Sequence, residues 1–114
     1  MNGLSTHVLD TGLGKPVVAL GVHLEIAAES GVWRLLASQK TDADGRCRQL
    51  LPLGEQQVAG RYRLRFETGS YFEGQSLEGL YPVVEITFLV RESDTHLHIP
   101  LLLTANGYTT YRGT

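Results

Sequence analysis

Apolar and polar side chains alternate with a period of two along most of this chain, the signature of strands half-buried in a sheet. In His96-Leu97-His98-Ile99-Pro100-Leu101-Leu102-Leu103, one face carries Leu97, Ile99, Leu101 and Leu103, which leaves His96, His98, Pro100 and Leu102 on the other. Leu4-Ser5-Thr6-His7-Val8-Leu9 divides in the same way, with Leu4 and Val8 inward and Ser5, His7 and Leu9 outward. From Arg61 to Glu67 the alternation is strict: Tyr62, Leu64 and Phe66 face in, and Arg61, Arg63, Arg65 and Glu67 face out. Val18 to Ala28 and Val32 to Lys40, the latter with Trp33 and Leu35 as apolar members, predict a hairpin around Glu29-Ser30-Gly31. Asp44-Gly45 marks a tight turn, because glycine accepts the positive φ that such turns require, and a short strand from Arg46 to Leu51 should follow it. Val83 to Arg91 and Tyr108 to Arg112 complete the strands, and Phe72 to Leu80, closed by Gly79 and Pro82, is the place for a short helix. About eight short strands and one small helix, with turn signals at this spacing, predict an all-β, two-sheet sandwich filling a single domain over residues 1–114.

Composition narrows the setting. A chain of 114 residues buries roughly two-thirds of the surface exposed by its unfolded form, so it needs neither a disulfide nor a metal to fold. The single cysteine, Cys47, has no internal partner. No leader with a charged start and apolar middle is evident, and no apolar run approaches the length of a membrane span, so a reducing, cytoplasmic location without a membrane partner is expected. With 10 basic and 12 acidic side chains, the net charge is -2, and neither sign forms a block. Nucleic acid is therefore not an expected partner; a small molecule or another copy of the chain is.

The candidate chemistry lies on the outward faces. His7, Leu9, His96, His98, Pro100 and Leu102 together are too apolar for an ordinary wet surface, and they offer imidazoles to whatever covers them. Plainer readings compete. His96 and His98 suit a solvated edge strand, and His23 beside Glu25 suits a solvated position with no role. A His-x-His pair with a third imidazole at His7 also suits zinc. Asp42-Ala43-Asp44-Gly45 is a turn and not a calcium loop, since Lys40 and Leu51 stand where acids are needed. Gly14-Lys15 lacks the other residues of a phosphate loop. Arg61, Arg63 and Arg65 read as a solvated face paired with acids such as Glu25.

Four blocks carry a further signal: Leu4-Ser5-Thr6-His7-Val8-Leu9-Asp10 with Gly14-Lys15-Pro16, Thr41-Asp42-Ala43-Asp44-Gly45-Arg46, the His96 to Leu103 run, and Tyr111-Arg112-Gly113-Thr114. In this order they resemble the transthyretin-related 5-hydroxyisourate hydrolase family from end to end. Where that family usually ends in serine, this chain has Thr114, which keeps the hydroxyl and adds a methyl. The resemblance implies a transthyretin-like sandwich of seven or eight strands and a homotetramer built as a dimer of dimers, with active sites in the channel between dimers. It further implies hydrolysis of 5-hydroxyisourate to 2-oxo-4-hydroxy-4-carboxy-5-ureidoimidazoline in urate (purine) catabolism, with no cofactor and no metal. Transthyretins proper resemble the chain in fold but lack the counterparts of His7, Arg46 and the Tyr-Arg-Gly ending. A non-catalytic carrier that binds an aromatic ligand in the channel is thus the weaker alternative.

By the same resemblance, His7 and His98 activate water and shuttle protons. Arg46 holds a substrate carbonyl and stabilises the charge that develops on it. Tyr111 contacts the substrate, Arg112 and Thr114 orient the histidines, and His96 joins these three as a binding residue. Part of the tail is expected to come from a neighbouring subunit. The chemistry agrees with these assignments: histidine titrates near neutrality, and a nearby guanidinium keeps more of it in the neutral, basic form. Which histidine is the base stays open.

Overall fold

The computed structural model describes residues 3–114. In chain order they form β1 (Gly3–Asp10), β2 (Lys15–Pro16), β3 (Gly21–Ala27), β4 (Trp33–Lys40), β5 (Arg46–Cys47), β6 (Gly60–Phe66), α1 (Thr68–Glu73), β7 (Val84–Val90), β8 (His96–Thr104) and β9 (Gly107–Thr110). One sheet has the order β2-β1-β8-β9, with β5 also on β1, and the other runs β4-β3-β6-β7. The all-β sandwich is therefore borne out; the described residues hold one short helix and nine strands, of which β2 and β5 are two residues each.

The core is made by the residues that the period of two turns inward. Leu4 and Val8 of β1 and Leu97, Ile99, Leu101 and Leu103 of β8 meet Val22, Leu24, Tyr62, Leu64, Phe66 and Val84 of the facing sheet, all buried. Each large side chain removed from water in this way contributes about 1.5–3 kcal/mol. The burial also fixes which residues face out, since a one-residue slip would invert both faces.

One pairing positions everything that follows. Strands β1 and β8 are neighbours and run parallel, in a register that sets Gly3 opposite His96, Ser5 opposite His98 and His7 opposite Pro100. On the other edge of β1, β5 pairs antiparallel with His7 opposite Arg46. The turn before β5 makes this possible: Gly45 has φ +78°, and a Cβ there would stand 2.5 Å from the Val8 carbonyl oxygen. Only glycine fits both constraints.

Several expectations need correction. The helix lies at Thr68–Glu73, ahead of the expected Phe72 to Leu80. Its first turn is tied to the segment expected to end it, since the Thr68 hydroxyl donates to the Tyr81 carbonyl and the Gly69 N–H to that of Pro82. After Glu73 the chain turns back on itself, through Ser76 at φ +59°, and Gly79 packs on the Phe72 ring. In β4 a bulge opposite Leu24 and Glu25 shifts the alternation, so Leu36 and Ala37 pack on the core while Leu35 is 57% exposed. Trp33 lies on the outer face beneath the Arg63 guanidinium, 4.3 Å from the ring centre. The strand expected from Arg46 to Leu51 stops at Cys47.

Two plain readings of histidines also fail. β8 has β1 along one side and on the other β9 from Leu101 onward with Gly113 bridging His98, so His98 does not lie on an open edge, while His96 is exposed at the end of the strand. His23 is half-buried and engaged at both ring nitrogens, by Ser38 Oγ at 2.8 Å and Glu67 Oε1 at 3.1 Å. The pairing expected between the β6 arginines and Glu25 is present: Arg63 Nε donates to Glu25 Oε1 at 2.9 Å.

Candidate active site

Because β1 and β8 run side by side, the outward Ser5, His96 and His98 form one polar cluster. The Ser5 hydroxyl lies between two imidazoles, 3.0 Å from His96 Nε2 and 2.8 Å from His98 Nδ1. Ser5 is only 7% exposed, His98 is half-buried and His96 is exposed.

The turn into β5 holds the neighbouring parts. His7 Nε2–H donates to the Asp44 carbonyl at 2.9 Å. A carbonyl can only accept, so neutral His7 carries its proton on Nε2 and keeps its lone pair on Nδ1. The Asp42 carboxylate accepts the N–H groups of Asp44 and Arg46 at 2.8 and 2.9 Å. The Arg46 N–H, ahead of the Asp44 N–H and the nearby arginine charges, holds this carboxyl below the usual carboxylate range. Arg48 lies 3.7 Å from Asp42 and 3.4 Å from Asp44, bracing the same loop.

The tail completes the wall. Gly113 N–H donates to the His98 carbonyl at 2.8 Å, and a Cβ on Gly113 would stand 2.5 Å from His98 Cδ2. The tail backbone thus lies against the imidazole with no room for a side chain. Gly113→Ala is expected to push the ring out of place and lower kcat/KM on the order of 10²-fold, since a displacement of about 1 Å costs that much. Its global stability should change by only about 1 kcal/mol, because the atoms the new Cβ meets, in His98 and at 3.1 Å in Pro100, are on the outward face of β8 and not in the core between the sheets. Steady-state kinetics alongside a thermal melt checks both halves.

Ser5, Thr6, Arg46, Arg48, His96, His98 and Thr114 enclose a depression of about 260 Å³. Burial, then the Arg46 guanidinium, then His7 and His96, lower the His98 pKa below the ordinary imidazole value. His98 is therefore neutral at pH 7 and able to accept a proton. A neutral base beside a guanidinium in one polar recess can activate water and stabilise an oxyanion.

Of the residues singled out from the sequence, His96, His98, Arg46 and Thr114 line this depression. His7 adjoins it through its pairing with Arg46 and is close enough for its charge to act on His98. Tyr111 and Arg112 lie elsewhere in the single chain, along a second depression of about 290 Å³ bordered by β7, β8 and β9. Tyr111 is 54% exposed, and Arg112 Nη2 donates to Asp94 Oδ1 at 3.2 Å. Sequence reasoning gave no role to Ser5, Thr6 or Arg48. The outward parity of Ser5 was visible, but its place between two imidazoles depends on the β1/β8 register. Among the described residues, no three His, Cys, Asp or Glu side chains are grouped as a metal site.

A β-sandwich with an acid–base recess on its outer face is the class of protein that fold and site define. The HIUase/Transthyretin family model matches residues 4–113, so the chain belongs to that family. It is 44% identical over 118 residues to a 5-hydroxyisourate hydrolase of Caulobacter vibrioides, covering 99% of each chain. Among solved structures it superposes on the 5-hydroxyisourate hydrolase of Klebsiella pneumoniae with a TM-score of 0.85 at 34% identity, covering all of both chains. It also superposes on the transthyretin of Sparus aurata with a TM-score of 0.91 at 29% identity, over 99% of this chain and 97% of that one.

Proposed function

We propose that this chain hydrolyses 5-hydroxyisourate to 2-oxo-4-hydroxy-4-carboxy-5-ureidoimidazoline, a step of urate breakdown. The observation that carries the reading is the convergence of neutral His98, the Arg46 guanidinium, Ser5 and Thr114 on one recess. Relatives across nearly its whole length, including the Caulobacter vibrioides protein, are named as hydrolases of this compound.

The chemistry follows from the parts. Water adds to a ring carbonyl of the substrate, the C–N bond of the cyclic amide breaks, and the attacked carbon becomes a carboxylate on the opened product. His98 takes a proton from water as it attacks and returns it to the leaving nitrogen. Arg46, a planar fork of donors, holds the carbonyl oxygen and stabilises the negative charge that forms on it. His7, with its Nδ1 lone pair free, serves as a second acceptor for the substrate or for water. Thr114 and His96 bound the recess and contact the bound ring.

A homotetramer is part of the proposal. Edge strands β7 and β9 are unpaired on their outer sides in the single chain, and Leu89, Tyr108 and Tyr111 are exposed there, a combination that favours association with another copy. Association would also let Tyr111 and Arg112 of one chain serve a recess of another. Cys47 suits a reducing cytoplasm: it is buried, has no thiol partner, and its pKa is pushed up to about 11, first by burial and then by the Asp42 charge. Among the described residues no helix is long and apolar enough to cross a membrane.

The carrier alternative shares the fold but is not favoured, because the recess is lined by acid–base and hydrogen-bonding groups. Reaction in ¹⁸O-labelled water decides the step. The proposal expects one labelled oxygen in the new carboxylate of the product; a product without label there would overturn it.

A further inference from the structure

We infer that Ser5 is a positioning residue that, together with His96, locks His98 in the tautomer able to take a proton from water. The inference rests on the hydrolase reading for its purpose, and on the geometry for its content. Ser5 Oγ is within hydrogen-bond distance of both His96 Nε2 and His98 Nδ1, at 3.0 and 2.8 Å. A hydroxyl has one proton to give. Between two neutral imidazoles it therefore donates to one and accepts from the other, so the tautomers of His96 and His98 are coupled and cannot be chosen separately.

Two chains of donors satisfy this rule, and the task of His98 selects between them. Its Nδ1 is already occupied by Ser5, which leaves Nε2 as the nitrogen available to water. To accept a proton there, Nε2 must be bare, so the resting proton sits on Nδ1. His98 Nδ1–H then donates to Ser5 Oγ, and the Ser5 hydroxyl donates to His96 Nε2. The proton balance is simple: water gives one proton to His98 Nε2, His98 becomes an imidazolium with its Nδ1–H still held by Ser5, Nε2 returns that proton to the leaving nitrogen, and the second proton of the water passes to solvent as the carboxylate forms. Ser5 and His96 exchange no proton in the cycle. They fix an orientation and stabilise the transient cation, through a hydroxyl that is almost wholly shielded from water.

The sequence position explains why this contact is specific. Ser5 is the residue paired with His98 in the β1/β8 ladder, with His96 two residues earlier on the same face of β8. A hydroxyl at residue 5 therefore reaches both rings without leaving its strand.

Nitrogen-15 NMR of the histidine rings tests the inference in the resting, unmodified protein at pH 8. His98 is expected to show a protonated Nδ1 and a bare Nε2, and His96 a bare Nε2. In Ser5→Ala, His98 should lose this preference and kcat should fall about tenfold, the weight of one neutral hydrogen bond, with KM within about twofold. Ser5→Thr, which keeps the hydroxyl, should restore the His98 ring signature. A purely structural Ser5 would change melting temperature while leaving the ring spectra as they were. Observation of His98 with its proton on Nε2 in the unmodified protein, or of an unaltered His98 tautomer and kcat in Ser5→Ala, would overturn the inference. The ring spectra need no substrate. A chain that shows the expected tautomers yet fails to open 5-hydroxyisourate would therefore sink the functional reading alone.

Discussion

Replacing His98 with alanine is expected to lower kcat for 5-hydroxyisourate opening by about 10³, within the 10²–10⁴ that a well-placed proton-transfer group supplies. The fold should survive, because His98 lies on the outward face of β8 while the buried work of that strand is done by Leu97, Ile99, Leu101 and Leu103. Steady-state kinetics and a thermal melt on the same preparation separate the two effects. The unmodified chain carries a matching pH signature. Burial, and after it Arg46, His7 and His96, hold the His98 pKa below its ordinary value, and the neutral ring is the form that accepts a proton. Activity should thus be full at neutral pH and be lost only as pH falls through a midpoint below about 6.5, the unperturbed imidazole value. An acid limb at or above that value would mean that a different group is the base.

Arg46→Gln should have the second large effect, a fall in kcat on the order of 10²–10³ through loss of oxyanion stabilisation. It carries a second, independent sign. Removing the guanidinium removes one of the charges that disfavour protonation of His98, so the acid limb of the residual activity should move to higher pH. Arg46→Lys separates charge from shape: the ammonium should keep the limb low, yet recover little rate, because it lacks the planar fork that meets a carbonyl at two points. A loss of rate in Arg46→Gln with no movement of the limb would mean that Arg46 acts on the substrate without tuning the base.

Much of this molecule is legible in its sequence, and the parts that are not share one cause. Period-two alternation is a local property, so the inward and outward faces of β1, β6 and β8 could be read directly, and with them the outward placement of His7, His96 and His98. The glycine at residue 45 was legible for the same reason, since its turn is built from adjacent residues. Contacts set by distant parts of the chain were not. The helix at Thr68–Glu73 starts where it does because Tyr81 and Pro82 receive hydrogen bonds from its first turn. Leu35 points outward because β4 gains a residue against β3. The parallel register of β1 and β8 places Ser5 between two imidazoles, and nothing local to Leu4-Ser5-Thr6 announces it. At the end of the chain, parity puts Tyr111 on the face of Thr109 and Gly113. The ladder of β9, however, stops at Thr110, and Arg112 turns to Asp94.

The most direct test of the account is the decay of ultraviolet absorbance of freshly made 5-hydroxyisourate, supplied in large excess over the protein and followed with the unmodified chain and with His98→Ala. The account predicts that each unmodified chain converts many equivalents of substrate, and that His98→Ala approaches the spontaneous rate. Saturable binding without turnover, or equal rates for the two proteins, would contradict it.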